Sequence, residues 1–326
     1  MLKIGVIGAG HLGKIHLKCL LDLKEQYQLV GLYDLAPDVA LAASQQFGVQ
    51  SFSSYQALLD AVDVVDIVTP TVTHFLLAKT AIEQGKHLFI EKPVTQTVAE
   101  AQALIAAAKK HGITAQVGHV ERFNPAMLAV RDVTMNPMFI EAHRLANFNP
   151  RGTDVPVVLD LMIHDIDIVL SLVRSPVKSV SASGVAVVSD SPDIANARIE
   201  FENGCVANLT ASRISMKQMR KVRLFQKDAY ISLDFLEKSA QVVRMHEPGS
   251  QPQGIPSFEL ETPGGVRVIS MEVPPAEPAN AIKEELKALS VSILRSEKTV
   301  VTMEDGAAAL AVAWRVMEEV EGRLGK

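Results

Sequence analysis

A short glycine pattern, together with what stands on either side of it, constrains this chain most. Leu2–Ile7 is an apolar run rich in β-branched residues, the composition of a buried strand. Gly8-Ala9-Gly10-His11-Leu12-Gly13 follows without a gap, and an amphipathic stretch runs on to about Glu25. A second apolar run, 28–33, ends in Asp34, twenty-one residues past Gly13. Strand, glycine turn, helix, strand and acid at that spacing form one unit of a parallel sheet suited to a dinucleotide. Gly8 permits the tight turn, Gly10 lets the backbone approach a pyrophosphate, and Gly13 lets helix and strand close together. The helix opens at His11 and Leu12, where unpaired N–H groups and the positive end of the dipole suit an anion. The carboxylate of Asp34 can accept both hydroxyls of an adenosine ribose and would repel a 2′-phosphate. The expected cofactor is NAD.

The remaining composition narrows the class. A length of 326 residues suggests about two domains. A net charge of −5 argues against nucleic acid or an anionic membrane as partner. Cys19 and Cys205 stand far apart and without metal or redox spacing, which reads as two buried thiols. No apolar run approaches a membrane span, and the first strand begins at residue 2, leaving no room for a signal peptide. A cytoplasmic protein is the expectation.

From Asp34 to Gly118, strands that are continuous apolar runs alternate with helices: a helix over 36–47, a strand over 62–68, a helix opened by Thr73, a strand over 87–90, a helix over 97–111 and a strand over 113–117. That alternation predicts a doubly wound parallel sheet, covered on both faces, of the Rossmann type. After Gly118 the texture changes. A helix over 155–172 is followed, from 177 to about 273, by short strands separated by turn residues, such as Glu202-Asn203-Gly204 and Pro263-Gly264-Gly265. This predicts an α+β domain with a large, mostly antiparallel, open sheet. The expected division is 1–119 for the NAD-binding domain, 120–302 for the substrate and oligomerisation domain, and 303–326 for a helix returning to the first domain.

Chemistry is expected beyond the carboxyl ends of the parallel strands. Thr69-Pro70-Thr71 with His74 follows one strand, and Glu91-Lys92-Pro93 follows the next. Thr71, His74 and Glu91 are expected to line the nicotinamide end. Lys92, held by a turn whose Lys92–Pro93 bond is a candidate cis peptide, can hydrogen-bond a substrate hydroxyl or act as a base. A second constellation, Asp160 to Asp167, sets acids and a histidine in an otherwise apolar helix. Asp160 and His164 are four residues apart and share a face; a histidine oriented by a carboxylate suits proton removal from an alcohol. A salt-bridged surface helix is the alternative. The spacing matches no metal site, so none is expected.

Taken together, Gly8–Gly13, Asp34, Thr69-Pro70-Thr71 with His74, Glu91-Lys92-Pro93, Arg122-Phe123-Asn124-Pro125 and Asp160…His164 resemble the glucose–fructose oxidoreductase/inositol dehydrogenase/MocA (Gfo/Idh/MocA) family along essentially the whole chain. The resemblance implies NAD(P)-dependent oxidation or reduction of a sugar or polyol carbon. It also implies a Lys92–Asp160–His164 catalytic set, in which Lys92 and His164 handle the hydroxyl proton and Asp160 orients them. The cofactor contacts it implies fall on Gly8, Gly10, His11, Leu12, Gly13, Asp34, Thr69, Pro70, Thr71, His74, Glu91 and Lys92. Pro156-Val157-Val158-Leu159 departs from the family's glycine-rich lead-in to the aspartate and predicts a different pocket wall.

Arg122, Asn124, Arg151 and Arg213 suit the phosphates of a nucleotide sugar. Here the chain is similar to the UDP-N-acetylglucosamine 3-dehydrogenase branch, which supplies a 3-keto sugar for diamino-sugar lipid A. The alternative for these arginines is pairing with the acids around Asp165 and Asp167. Alternative functions are an inositol or free-sugar dehydrogenase and, from another class, a non-catalytic NAD-sensing regulator. An exposed antiparallel sheet predicts a homodimer or homotetramer.

Overall fold

The computed structural model describes residues 1–149 and 155–324. The chain forms two compact units, Met1–Phe123 with Ala279–Leu310, and Asn124–Pro278 with Ala311–Lys326. In the first unit six strands, β1 (Leu2–Ile7), β2 (Tyr27–Tyr33), β3 (Gln50–Ser51), β4 (Val64–Ile67), β5 (His87–Glu91) and β6 (Ala115–Gly118), form a sheet ordered β3-β2-β1-β4-β5-β6. Every pairing in it is parallel. Helices α1 (His11–Asp22), α2 (Pro37–Phe47), α3 (Tyr55–Ala61), α4 (His74–Glu83) and α5 (Val98–His111) make the crossovers. The strand order reverses between β1 and β4, which opens a crevice beyond their carboxyl ends.

Local chemistry sets these boundaries. Thr97 and Glu100 form a reciprocal capping box at the start of α5. Lys109, Lys110 and His111 then meet the negative end of its dipole, and Gly112 stops it in the left-handed region at φ 66°. The Lys92–Pro93 peptide is cis.

The second unit opens with the short helix α6 (Pro125–Leu128), followed by β7 (Phe139–Leu145). A helical segment then combines a π-helical turn, Val158–Met162, with α7 (Ile163–Val173). Eight strands complete the unit: β8 (Val177–Val185), β9 (Ile194–Phe201), β10 (Val206–Ser212), β11 (Met219–Phe225), β12 (Ala229–Asp234), β13 (Ser239–His246), β14 (Ser257–Thr262) and β15 (Gly265–Glu272). With β7 they form a nine-stranded sheet, β14-β15-β13-β12-β11-β7-β10-β9-β8, antiparallel except where β7 pairs β10. Alternation gives it one dry face: Ala195, Ala197, Ile199 and Phe201 of β9 are buried, as are Ala229, Ile231 and Leu233 of β12. Helix α7 lies against β7 and β10.

Two helices remain, α8 (Ala281–Arg295) and α9 (Met303–Leu324). Leu286 and Leu289 of α8 are wholly buried in the core of the first unit, among Ile4, Leu17, Leu20 and Phe89. Tyr27 donates to the Leu286 carbonyl at 2.8 Å and Gln116 to the Glu285 carbonyl at 2.6 Å. Residues 279–302 therefore belong to the nucleotide-binding unit, where the sequence pattern places them in the second domain. Periodicity reveals an amphipathic helix but not which sheet its apolar face covers. Thr302 and Asp305 cap α9 reciprocally; its residues up to Leu310 fall in the first unit and those from Ala311 in the second.

Candidate active site

The dinucleotide pocket is built from the first turn outward. Gly8 sits at φ +94°, where an added Cβ would strike the Val68 carbonyl. A Cβ at Gly13 would collide with the carbonyl oxygen of Gly8, whereas one at Gly10 would project into open space. Helix α1 has no side-chain cap at Gly10 and no acid in its first turn, so its leading N–H groups stay available to an anion. His11 and Leu12 are exposed there. The cleft measures about 690 Å³ and is lined by Gly8, Gly10, Tyr33, Asp34, Tyr55 and Thr69, among others. Asp34 accepts from the Ala9 N–H at 2.7 Å through one oxygen and from the Ala36 N–H at 2.9 Å through the other. It is thus tied both to the glycine turn and to the start of α2. Tyr33 and Tyr55, stacked with ring centroids 6.5 Å apart, form a wall the glycine motif does not announce. These features fit NAD: an open backbone cradle, an uncapped helix end and a carboxylate at the ribose position.

The turns after β4 and β5 are locked together by His74. Its Nδ1 lies 2.9 Å from the Pro93 carbonyl oxygen and its Nε2 lies 2.9 Å from that of Thr69. Both oxygens can be satisfied together only by the protonated ring, yet burial opposes the charge and wins, leaving the His74 pKa below its ordinary value. With 1% of its surface exposed and both nitrogens engaged, His74 clamps the two loops together. Glu91 is also turned inward, 7% exposed, and accepts from the Lys92 N–H at 3.1 Å. Thr71 opens a single 3₁₀ turn after Pro70, and the hydroxyls of Thr69 and Thr73 meet at 2.7 Å.

In the second unit Asp160 and His164 are half-buried, while Asp165 and Asp167 are buried. Asp160 sits inside the π-helical turn. Its hydrogen bonds run to i+5, so a four-residue step falls short of a full turn and the simple face-sharing argument applies only approximately. π-turns of this kind recur at functional sites.

Of the residues expected to suit phosphates, Arg122, Asn124 and Arg213 each have a partner within their own unit. Arg122 lies 3.7 Å from Asp305. Asn124 caps α6 by accepting from the Ala126 N–H at 3.1 Å and donates to the Phe235 carbonyl at 3.0 Å. Arg213, 6% exposed, donates to the Val155 carbonyl and lies 4.0 Å from Asp193. Arg151 lies outside the described residues. On the open face of the nine-stranded sheet, Lys221 pairs with Asp234 at 3.0 Å and Arg223 with Glu141 at 2.8 Å, so these two cations are taken up in surface salt bridges.

Among the described residues no helix is long and apolar enough to cross a membrane. Residues 2–119 match the model of an oxidoreductase family with an NAD-binding Rossmann fold, and residues 137–231 match the GFO/IDH/MocA C-terminal domain. The chain is 40% identical over 261 residues to UDP-N-acetylglucosamine 3-dehydrogenase of Acidithiobacillus ferrooxidans, covering 80% of this chain and 82% of that one. A solved structure of GnnA, that organism's UDP-N-acetylglucosamine 3-dehydrogenase, aligns with a TM-score of 0.88 at 34% identity, covering 98% of each chain. The scyllo-inositol 2-dehydrogenase (NAD(+)) of Bacillus subtilis is 31% identical over 233 residues, 65% of this chain and 68% of that one. Levoglucosan dehydrogenase, solved with NADH and L-sorbose, shares the fold at a TM-score of 0.81 and 20% identity, over 98% of this chain and 97% of that one. The glycine cradle, the two matched domains and the 40% identical relative together place this chain in the Gfo/Idh/MocA family of NAD-binding oxidoreductases.

Proposed function

We propose that the protein is an NAD-dependent dehydrogenase that oxidises the 3-hydroxyl of a UDP-N-acetyl-hexosamine. The observation that carries this reading is the 40% identity to a UDP-N-acetylglucosamine 3-dehydrogenase, sustained over 80% of the chain. NAD, when bound, supplies the hydride acceptor. Lys92 and His164 handle the hydroxyl proton, and Asp160 orients them. His74 and Glu91 hold the lysine-bearing turn, and Asp34 selects the unphosphorylated ribose. A 3-keto amino sugar of this kind is a substrate for transamination, the step that leads towards diamino-sugar lipid A.

A second reading, an inositol or free-sugar dehydrogenase, is favoured by one observation: Arg122 and Arg213 already face protein partners, Asp305 and the Val155 carbonyl. Homo-oligomers would form through the open face of the nine-stranded sheet, where Phe139, Phe225 and Tyr230 cluster with centroids 6.1 and 5.1 Å apart; light scattering reads their size.

The test is NADH formation with UDP-N-acetylglucosamine, myo-inositol and glucose, each with NAD and NADP. Product mass is read in parallel with 2-oxoglutarate present, in case the reduced cofactor stays bound. Turnover of the UDP sugar supports the main reading and turnover of inositol alone supports the second. NAD binding without turnover of any of them would instead fit a regulator.

A further inference from the structure

Beneath the Glu91–Lys92 turn lies a buried polar cluster that the glycine motif and the catalytic set leave unexplained. His16, on α1 six residues past Gly10, has no exposed surface. Its Nδ1 lies 2.9 Å from Asp66 Oδ2 on β4, and its Nε2 lies 3.2 Å from Glu91 Oε1 at the end of β5. The second oxygen of Glu91 accepts from the Lys92 N–H at 3.1 Å. The edge of the Phe89 ring meets the imidazole, with centroids 5.5 Å apart. Gly118, paired with Glu91 across β5 and β6, leaves the room its carboxylate needs, because a Cβ there would come within 2.9 Å of that group. Glu285 closes the cluster from α8, wholly buried, within 4.8 Å of the facing His16 and Glu91 atoms.

Charge accounting decides how such a cluster survives burial. His16 Nδ1 hydrogen-bonds Asp66 at 2.9 Å, while Nε2 stands 3.2 Å from Glu91 Oε1 as an ion-pair contact outside hydrogen-bond geometry, an arrangement that favours the protonated ring. Burial disfavours the cation, but Asp66 and Glu91 outweigh burial and raise the His16 pKa well above its ordinary value. Burial and the neighbouring Glu91 raise the Glu285 pKa well above its ordinary value as well. A protonated His16 thus offsets one of the two carboxylates that flank it, and burial together with Glu91 raises the Asp66 pKa as well.

We propose that His16 is a positioning residue: seated between Asp66 and Glu91, it ties the helix that opens the cofactor cleft to the turn that carries Lys92. Helix α1, β4 and β5 are thereby joined by one imidazolium, and the lysine-bearing turn is held relative to the pyrophosphate end of the cleft. The consequence for turnover rests on the sugar-dehydrogenase reading; the consequence for the turn does not.

Three measurements test it. In the ¹⁵N-labelled protein, both His16 ring nitrogens should remain protonated from pH 6 to 9; loss of either proton in that range overturns the proposal. Glu91→Gln should strip one of those protons by pH 8, and an unchanged spectrum counts against it. In His16→Gln, amide exchange across 88–96 should quicken at least tenfold while α2 keeps its rate. The kcat should fall about tenfold to a hundredfold with KM for NAD within about threefold, as for a misplaced reacting group. Unchanged exchange and kcat would sink the idea. If the wild-type protein turns over no sugar, the functional reading falls while His16 is still judged by its nitrogens and by exchange. A stoichiometric divalent ion lost on substitution of His16 would also overturn the proposal, since Nε2 would then be a ligand and not a donor.

Discussion

Arg144 and Asp165 form a forked pair within the second unit. The guanidinium donates to the carboxylate at 2.8 Å from Nη2 and at 3.1 and 3.2 Å from Nε. Both side chains are about 3% exposed. The pair fastens α7, the helix following the turn that bears Asp160, to the dry face of β7. Removing one partner leaves a buried charge without its counter-ion. Arg144→Met should cost about 3–5 kcal/mol of stability, by analogy with other broken buried pairs. Arg144→Met combined with Asp165→Leu should recover much of that loss. Urea unfolding of the three proteins measures both.

Asp34, proposed above to select the unphosphorylated ribose, accepts from the Ala9 and Ala36 N–H groups. Asp34→Asn keeps an acceptor but removes the charge that repels a 2′-phosphate. KM for NAD should rise about tenfold or more, given about 1.5–3 kcal/mol for a charged hydrogen bond, and the preference for NAD over NADP should shrink. Steady-state kinetics with both cofactors decide this.

Lys92→Met and His164→Asn should each lower kcat by about a hundredfold or more, the scale of a lost acid–base group. Affinity for NADH, read by fluorescence titration, should stay within about threefold of wild type. A large loss of NADH affinity with kcat intact would move these residues from proton handling to cofactor binding.

Asp193 provides a pH signature. Burial alone would raise its pKa, but the Ser189 hydroxyl and the N–H groups of Val187, Val188 and Ser189 outweigh burial and hold it at about 2. A carboxyl depressed by folding stabilises the protein above its unfolded pKa of about 4, and that contribution fades as pH falls towards 2. Asp193→Asn should therefore be less stable than wild type at neutral pH, and the gap should narrow between about pH 4 and pH 2. Denaturation curves across that range check the sign.

The nucleotide-binding sheet was legible because its signals are local. The order of apolar runs, the glycines at 8, 10 and 13 and the acid at 34 can each be read from one stretch of chain, and their alternation points to a doubly wound parallel sheet; the strand order β3-β2-β1-β4-β5-β6 is a property of the fold that alternation alone does not choose. The inward turn of His74 and Glu91 was not legible, because it depends on which carbonyls and which histidine the folded loops bring near. His16 carried no signal at all: one histidine in an amphipathic helix looks the same whether its face meets solvent or two carboxylates. The π-turn around Asp160 escaped for a related reason, since an apolar run containing acids reads as ordinary α-helix until its hydrogen bonds are traced.

Helix α8 has a consequence for how the molecule comes into being. Its Leu286 and Leu289 complete the core built around Ile4 and Phe89, yet they lie more than 150 residues downstream of β6 in the order of synthesis. The sheet that holds the glycine cradle therefore emerges from the ribosome with one flank bare and waits for Asn124–Pro278 of the second unit to be translated before that flank is covered. A fragment ending at residue 123 would carry the whole dinucleotide motif and still lack its last wall.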